Sequence, residues 1–166
     1  MKQEDKELFL KDLSARLPYG VNGRVYAETT KGEYDINGDM IFFDSPFDVT
    51  LDDINTSTEE IHVIAIGNED MVDFIEDQQT WGDRYIVDEF KPYLRPMSRM
   101  SEEEEKEYHN LCYEEESEYY EFGVWTTRIY FHDTIESIDW LNAHHVDYRG
   151  LIEKGLALEA PEGMYK

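Results

Sequence analysis

The chain has 166 residues, 39 of them Asp or Glu against 15 Lys or Arg, for a formal net charge of −24. Such a charge repels phosphate backbones and anionic membranes, so direct nucleic-acid binding and membrane association are disfavoured; basic surfaces, metal ions and basic peptides are the partners it attracts. The hydrophobic content of 40%, with 3 Trp, 12 Tyr and 8 Phe, can build a core and argues against global disorder, because disordered chains are poor in aromatics.

Residues 4–17 read as a helix, with Phe9, Leu10, Leu13 and Leu17 on one side. Pro18 and Gly20 end it. This N-terminus has acids among its apolar residues and lacks the apolar core of a signal peptide. The period then changes to two. Val25, Ala27 and Thr29 alternate with Tyr26 and Glu28, and Asn37-Gly38 is a hairpin signal followed by an apolar run. The spacing predicts a three-stranded antiparallel meander over roughly 21–44. IHVIAIG at 61–67 and RYIV at 84–87 read as strands, with a short helix between them at 69–79. Pro92 and Pro96 remove amide donors, so 91–98 reads as a crossing segment or loop.

Ser101 opens a helix, with Glu104 at capping-box spacing. Residues 101–121 hold ten glutamates, four tyrosines and one lysine. If the whole stretch is helical, Tyr108, Leu111, Cys112 and Tyr119 share an apolar stripe. Glu103, Glu107, Glu114, Glu118 and Glu121 then form a carboxylate row about 27 Å long on the other side. The spacing within that row, about 6 Å, is close to that between phosphates on a nucleic-acid strand. Three readings compete: a solvated face, a surface that docks on a basic partner, and a cation site. Glutamates strung along a helix do not make a closed oxygen cage, which disfavours the last.

FGVWTTRIYF at 122–131 is aromatic and β-branched, hence a strand. A helix over 134–146 follows, burying Ile135, Ile138 and Leu141, with a short helix after Gly150 and an extended tail. The fold class is α+β: a single domain over 1–166, an antiparallel meander packed with three or four helices. The single cysteine, Cys112, permits no internal disulfide and suits a reducing, cytoplasmic setting. No apolar stretch approaches the roughly 18 residues of a membrane span.

No catalytic signature stands out, and none of the common nucleotide-binding or hydrolase motifs is present. Neighbouring His144 and His145 point about 100° apart on a helix, which does not suit one ion. The alternative reading is a small metal-assisted hydrolase, with His132, Asp133 and His145 meeting in three dimensions. Asp35 to Asp39 has its glycine at the wrong position for an EF-hand loop. No cofactor is expected.

Three stretches, LPYGV at 17–21, KPYLRPMSRMSEEEEKEY at 91–108 and DWLNAHHVDYRGLIEKGLALEAPEGMYK at 139–166, resemble a family of small proteins from phages and mobile elements of Bacteroides-type gut bacteria. The family lends no catalytic residues. The resemblance implies a mobile-element cargo protein, and phages often carry small acidic proteins that occupy the nucleic-acid site of a defence enzyme. Tyr93, Arg95, Tyr148 and Arg149 lie in the same stretches. They either form one rigid recognition patch or are structural, the arginines tied to carboxylates and the tyrosines packed on the core. The expectation is a non-enzymatic acidic interaction protein that docks on a basic host surface in the manner of a DNA mimic. A soluble accessory protein is the plain alternative. The oligomeric state is not legible.

Overall fold

A computed structural model describes residues 1–26, 32–34, 40–42, 46–65 and 82–165. Helix α1 spans Gln3–Arg16 and runs into a 3-10 turn at Leu17–Tyr19. The strands before the acidic stretch are β1 (Asn22–Val25), β2 (Gly32–Tyr34), β3 (Met40–Phe42), β4 (Phe47–Asn55), β5 (Glu60–Ala65), β6 (Gly82–Ile86) and β7 (Phe90–Leu94). Helix α2 (Glu102–Leu111), strands β8 (Tyr113–Glu121) and β9 (Val124–His132), helix α3 (Ile135–Ala143) and the short β10 (Leu158–Glu159) follow. The fold is α+β, as the patterning indicates.

The main sheet has the order β10-β7-β1-β4-β5-β6. Its pairs are antiparallel except β10 with β7. Alternate residues of each strand turn inward. Val25, Val49, Leu51, Ile61 and Val63 thus meet Phe9 and Leu13 of α1, with Val87, Phe90, Leu94 and Leu151, in one buried cluster. Gly23 lets β1 and β7 approach: a Cβ there would lie 2.3 Å from the Phe90 ring and 2.7 Å from the Lys91 carbonyl.

The meander takes a different form. β2 pairs with β3, but β1 pairs with β4 and β7 instead of β2. The Asn37-Gly38 turn and the helix expected over 69–79 lie outside the described residues. β4 carries a nine-residue strand that the pattern did not announce, because Asp48, Asp52 and Asp53 crowd the polar positions around its inward Val49 and Leu51.

The segment expected to cross as a loop contains β7, with Pro92 inside it. Hydrogen-bond alternation explains how a proline is accommodated. The Tyr26 amide donates to the Glu89 carbonyl at 2.7 Å. Three positions further along, Gly23 faces Pro92 as a pair that exchanges no hydrogen bonds. On its other side β7 meets β10 only at Tyr93 and Leu94, so no partner seeks the missing amide.

A charged network is buried beside this core. Asp12 and Arg16, one helical turn apart, are both fully buried, and the guanidinium bonds the carboxylate at 2.7 and 3.1 Å. Arg16 also donates to the Val146 carbonyl at 2.8 Å, which ties α1 to the chain just after α3. Arg149 Nε lies 3.1 Å from the same Asp12 carboxylate. Helix α3 is shorter than expected. It buries Leu141, but Ile135 is 79% exposed, because Thr134 is the N-cap and Ile135 begins the first turn on the solvent side.

Candidate functional site

The acidic stretch is not one helix. Ser101 caps α2: its hydroxyl accepts from the Glu104 amide at 3.2 Å, while Glu104 accepts from the Ser101 amide at 2.8 Å. The helix stops at Leu111, whose carbonyl accepts from the Thr134 hydroxyl at 2.7 Å. From Tyr113 the chain is extended. Glutamate favours helix and opposes strand. Here β9, rich in Val, Thr, Ile and aromatics, supplies nine consecutive cross-strand partners, from Tyr113–His132 to Glu121–Val124, and the pairing overrides the local preference. The turn joining the strands is Phe122-Gly123, both at positive φ (52° and 85°), as a type I′ turn requires.

The expected carboxylate row is therefore broken into two parts. Glu103 and Glu107 sit on α2, and Glu114, Glu118 and Glu121 sit on β8. Alternation divides the second group. Glu114, Glu116, Glu118 and Tyr120 share one face of the hairpin with Phe131, Ile129, Thr127 and Trp125 of β9. The opposite face carries Tyr113, Glu115, Ser117, Tyr119 and Glu121 against His132, Tyr130, Arg128, Thr126 and Val124. There the Arg128 guanidinium lies 4.5 Å from the Tyr119 ring centroid, and Glu115 meets His132 at 3.0 Å.

This hairpin is an arm. Every residue of β9 is exposed, and all of β8 except the half-buried Tyr119. At its base the arm is anchored through the Phe131 ring, stacked on His109 of α2 at 4.3 Å. Nearby Tyr108 donates to Asp133 at 2.5 Å, and burial with this carboxylate pushes the phenol above its usual range. Along the arm Tyr113, Tyr120, Phe122, Val124, Trp125, Ile129, Tyr130 and Phe131 are all exposed, Phe122 to 97%.

Of the ten glutamates at 101–121, Glu104 is held by Arg95 through two bonds of 2.8 and 2.9 Å, which lowers its carboxyl to about 2. Glu115 has His132. The other eight are exposed, and none makes an ion pair with another described residue.

The arginines and tyrosines considered as a recognition patch are engaged within the fold. Tyr93 is 5% exposed, and its hydroxyl donates to Asp48 at 2.9 Å. Burial and this carboxylate raise it to about 12. Arg95 is held by Glu104. Tyr148 donates to Asn142 at 3.1 Å, accepts from Arg149 at 2.7 Å, and lies 5.4 Å from the Arg16 guanidinium. Arg149 reaches Asp12.

His132, Asp133 and His145 do not meet. His132 pairs with Glu115 and Asp133 with Tyr108. His145 is 4% exposed at a positive φ of 53°, stacked on Tyr165 at 3.8 Å. Burial, with the Arg16 charge, lowers it to about 4. His144 turns away to stack on Trp140. No group of three metal-ligating side chains occurs among the described residues. A cleft of about 410 Å³ runs past Tyr19, Arg95, Glu104, His144, His145 and Tyr165. Its one full ion pair, Arg95–Glu104, is already closed on itself.

Among the described residues, no helix is long and apolar enough to cross a membrane. Compared with protein-family models, curated proteins and solved structures, the chain matches none of them.

Sequence reasoning found the acidic stretch and the β9 strand but not their union into an arm. The available signal was the two-residue Phe122-Gly123 gap between an aromatic-bearing run and a β-branched one.

Proposed function

We propose that this is a non-enzymatic interaction protein that docks on a basic surface of another protein, with the carboxylates of α2 and β8 as its charged contact. The observation that carries the reading is the set of eight exposed glutamates on these two elements with no described cationic partner. Like charges held close together cost stability. A basic partner removes that cost and converts it into attraction, and charge steering makes the encounter fast and salt-sensitive. The resemblance to mobile-element proteins supports a host nucleic-acid-handling protein as the target, the acidic surface standing in for phosphates. The site does not need the continuous helical row for this. A helix and an adjoining strand offer carboxylates about 6 and 7 Å apart respectively.

The test is capture from host lysate on immobilised protein, followed by elution with duplex DNA. A retained nucleic-acid-handling protein that duplex DNA displaces, and that is lost when Glu103, Glu107, Glu114 and Glu118 are replaced by Gln, meets the expectation. Retention that DNA and the substitutions leave unchanged contradicts it.

A further inference from the structure

Charge alone does not account for the arm. A two-stranded hairpin is marginal in water by itself; stability requires a third strand or a packed face. This one extends nine residues per strand, and beyond Phe131, stacked on His109 at its base, and the half-buried Tyr119, its apolar side chains are uncovered. Its turn places Phe122, a bulky residue, at positive φ and 97% exposed, an arrangement that is unfavourable for a side chain with a Cβ. Nothing within the described residues offsets that strain by burying the ring.

One face has a pattern that selects an occupant. Across it run two parallel columns about 4.8 Å apart. Glu114, Glu116 and Glu118 repeat along β8 about every 6.8 Å, and Phe131, Ile129 and Trp125 stand along β9. A second copy of the chain would bring the same glutamates together and add another charge of −24. A partner with an apolar stripe beside a basic one satisfies both columns. A strand added at the edge turns half its side chains to the other face, whereas a helix presents its stripe to one. Basic residues at i and i+4 recur every 6 Å, near the glutamate repeat.

We infer that the arm face bearing Glu114, Glu116 and Glu118 beside Phe131, Ile129 and Trp125 binds a basic amphipathic helix. The apolar stripe of that helix covers the β9 column, and its Lys or Arg side chains meet the β8 column. A helix of about 20 residues spans the roughly 30 Å of the strands. This inference rests on the basic-partner reading above and narrows it to the type of partner segment.

The probe is a synthetic Leu/Lys amphipathic peptide of about 20 residues, with a scrambled peptide of the same composition as its control. Affinities come from fluorescence anisotropy at about 50 mM salt, where surface charges act. The expected result is binding by the amphipathic peptide at least about tenfold tighter than the scrambled one. Trp125→Ser and Ile129→Ser should each erase most of that difference, and so should Gln at Glu114, Glu116 and Glu118. Trp125 also packs on Tyr120 at 5.3 Å, so its variant can loosen the arm. Ile129→Ser is the second variant for that reason. The ring-current shift of Arg128 over Tyr119, on the opposite face, reports an intact arm in each. If the scrambled peptide binds as well and Ile129→Ser changes nothing, this inference falls while the charged-surface reading stands. If neither peptide binds, both fall. If the free protein sediments as a dimer that Ile129→Ser dissociates, a second copy covers the face and the inference is overturned.

Discussion

Replacing Arg16 by Ala is expected to be the most damaging single change in the core. Arg16 and Asp12 are both fully buried. The guanidinium makes two bonds to the carboxylate, at 2.7 and 3.1 Å, and one to the Val146 carbonyl at 2.8 Å. Truncation leaves the Asp12 charge inside with only Arg149 beside it, leaves the Val146 carbonyl without that donor, and opens a void under Tyr148. Removing one member of a buried pair costs about 3–5 kcal/mol. Against a typical domain stability of about 5–15 kcal/mol, that is about a fifth or more of the total. At about 2–4 °C per kcal/mol for a chain of this size, the melting temperature should fall by roughly 6–20 °C. The assay is urea unfolding followed by far-ultraviolet circular dichroism, with Arg16→Ala and the double variant Asp12→Leu/Arg16→Met measured together. The double variant should recover much of the loss, because no charge is then buried alone. An Arg16→Ala cost below about 1 kcal/mol, or a double variant worse than the single one, would refute the claim that this pair ties α1 to the end of α3.

His145 is buried, with its folded value lowered to about 4 from an ordinary 6.5. The unfolded chain therefore holds the extra proton between these values, and stability should fall as the pH drops from about 6.5 toward 4; His145→Asn should flatten the unfolding free energy in that window by up to about one proton. Glu104 acts in a lower window: held at about 2 by Arg95, it contributes stability that is lost as the pH falls from about 4.5 toward 2, and Arg95→Ala should weaken that dependence in acid melts. Gly23→Ala places a methyl group 2.3 Å from the Phe90 ring and should cost about 1–3 kcal/mol by urea unfolding. Phe122→Asn suits the type I′ turn better, so hydrogen exchange along β8 and β9 should slow while the main sheet is unchanged.

Much of the frame was legible because its signals are local. The Ser101 cap with Glu104 marked the start of α2, short apolar runs marked β5 and β6, aromatic and β-branched content marked β9, and apolar spacing marked α1. What escaped depended on contacts distant in sequence. YEEESEYYE at 113–121 is dense in a good helix former, and only its pairing with β9 makes it a strand. Pro92 argued against a strand until the register placed it at a position that exchanges no bonds with β1. Asp12 and Arg16 look like an ordinary surface pair at helical spacing, and nothing nearby in the chain announces that Val146 and Arg149 bury them. The site was half legible in the same way. The charge was visible, but its division between α2 and a projecting hairpin, and the aromatic column beside it, were set by the strand partner.

If the exposed carboxylates of α2 and β8 contact a basic protein surface, binding must depend on salt and on those side chains. The most direct measurement is the salt dependence of affinity for a captured basic partner, taken from about 50 to 300 mM salt, for the native protein and for the variant with Gln at Glu103, Glu107, Glu114 and Glu118. The expected result is tight, fast binding at low salt that weakens steeply as salt rises, and a variant that binds more weakly with a shallower dependence. Equal affinities and equal slopes for the two proteins would contradict it.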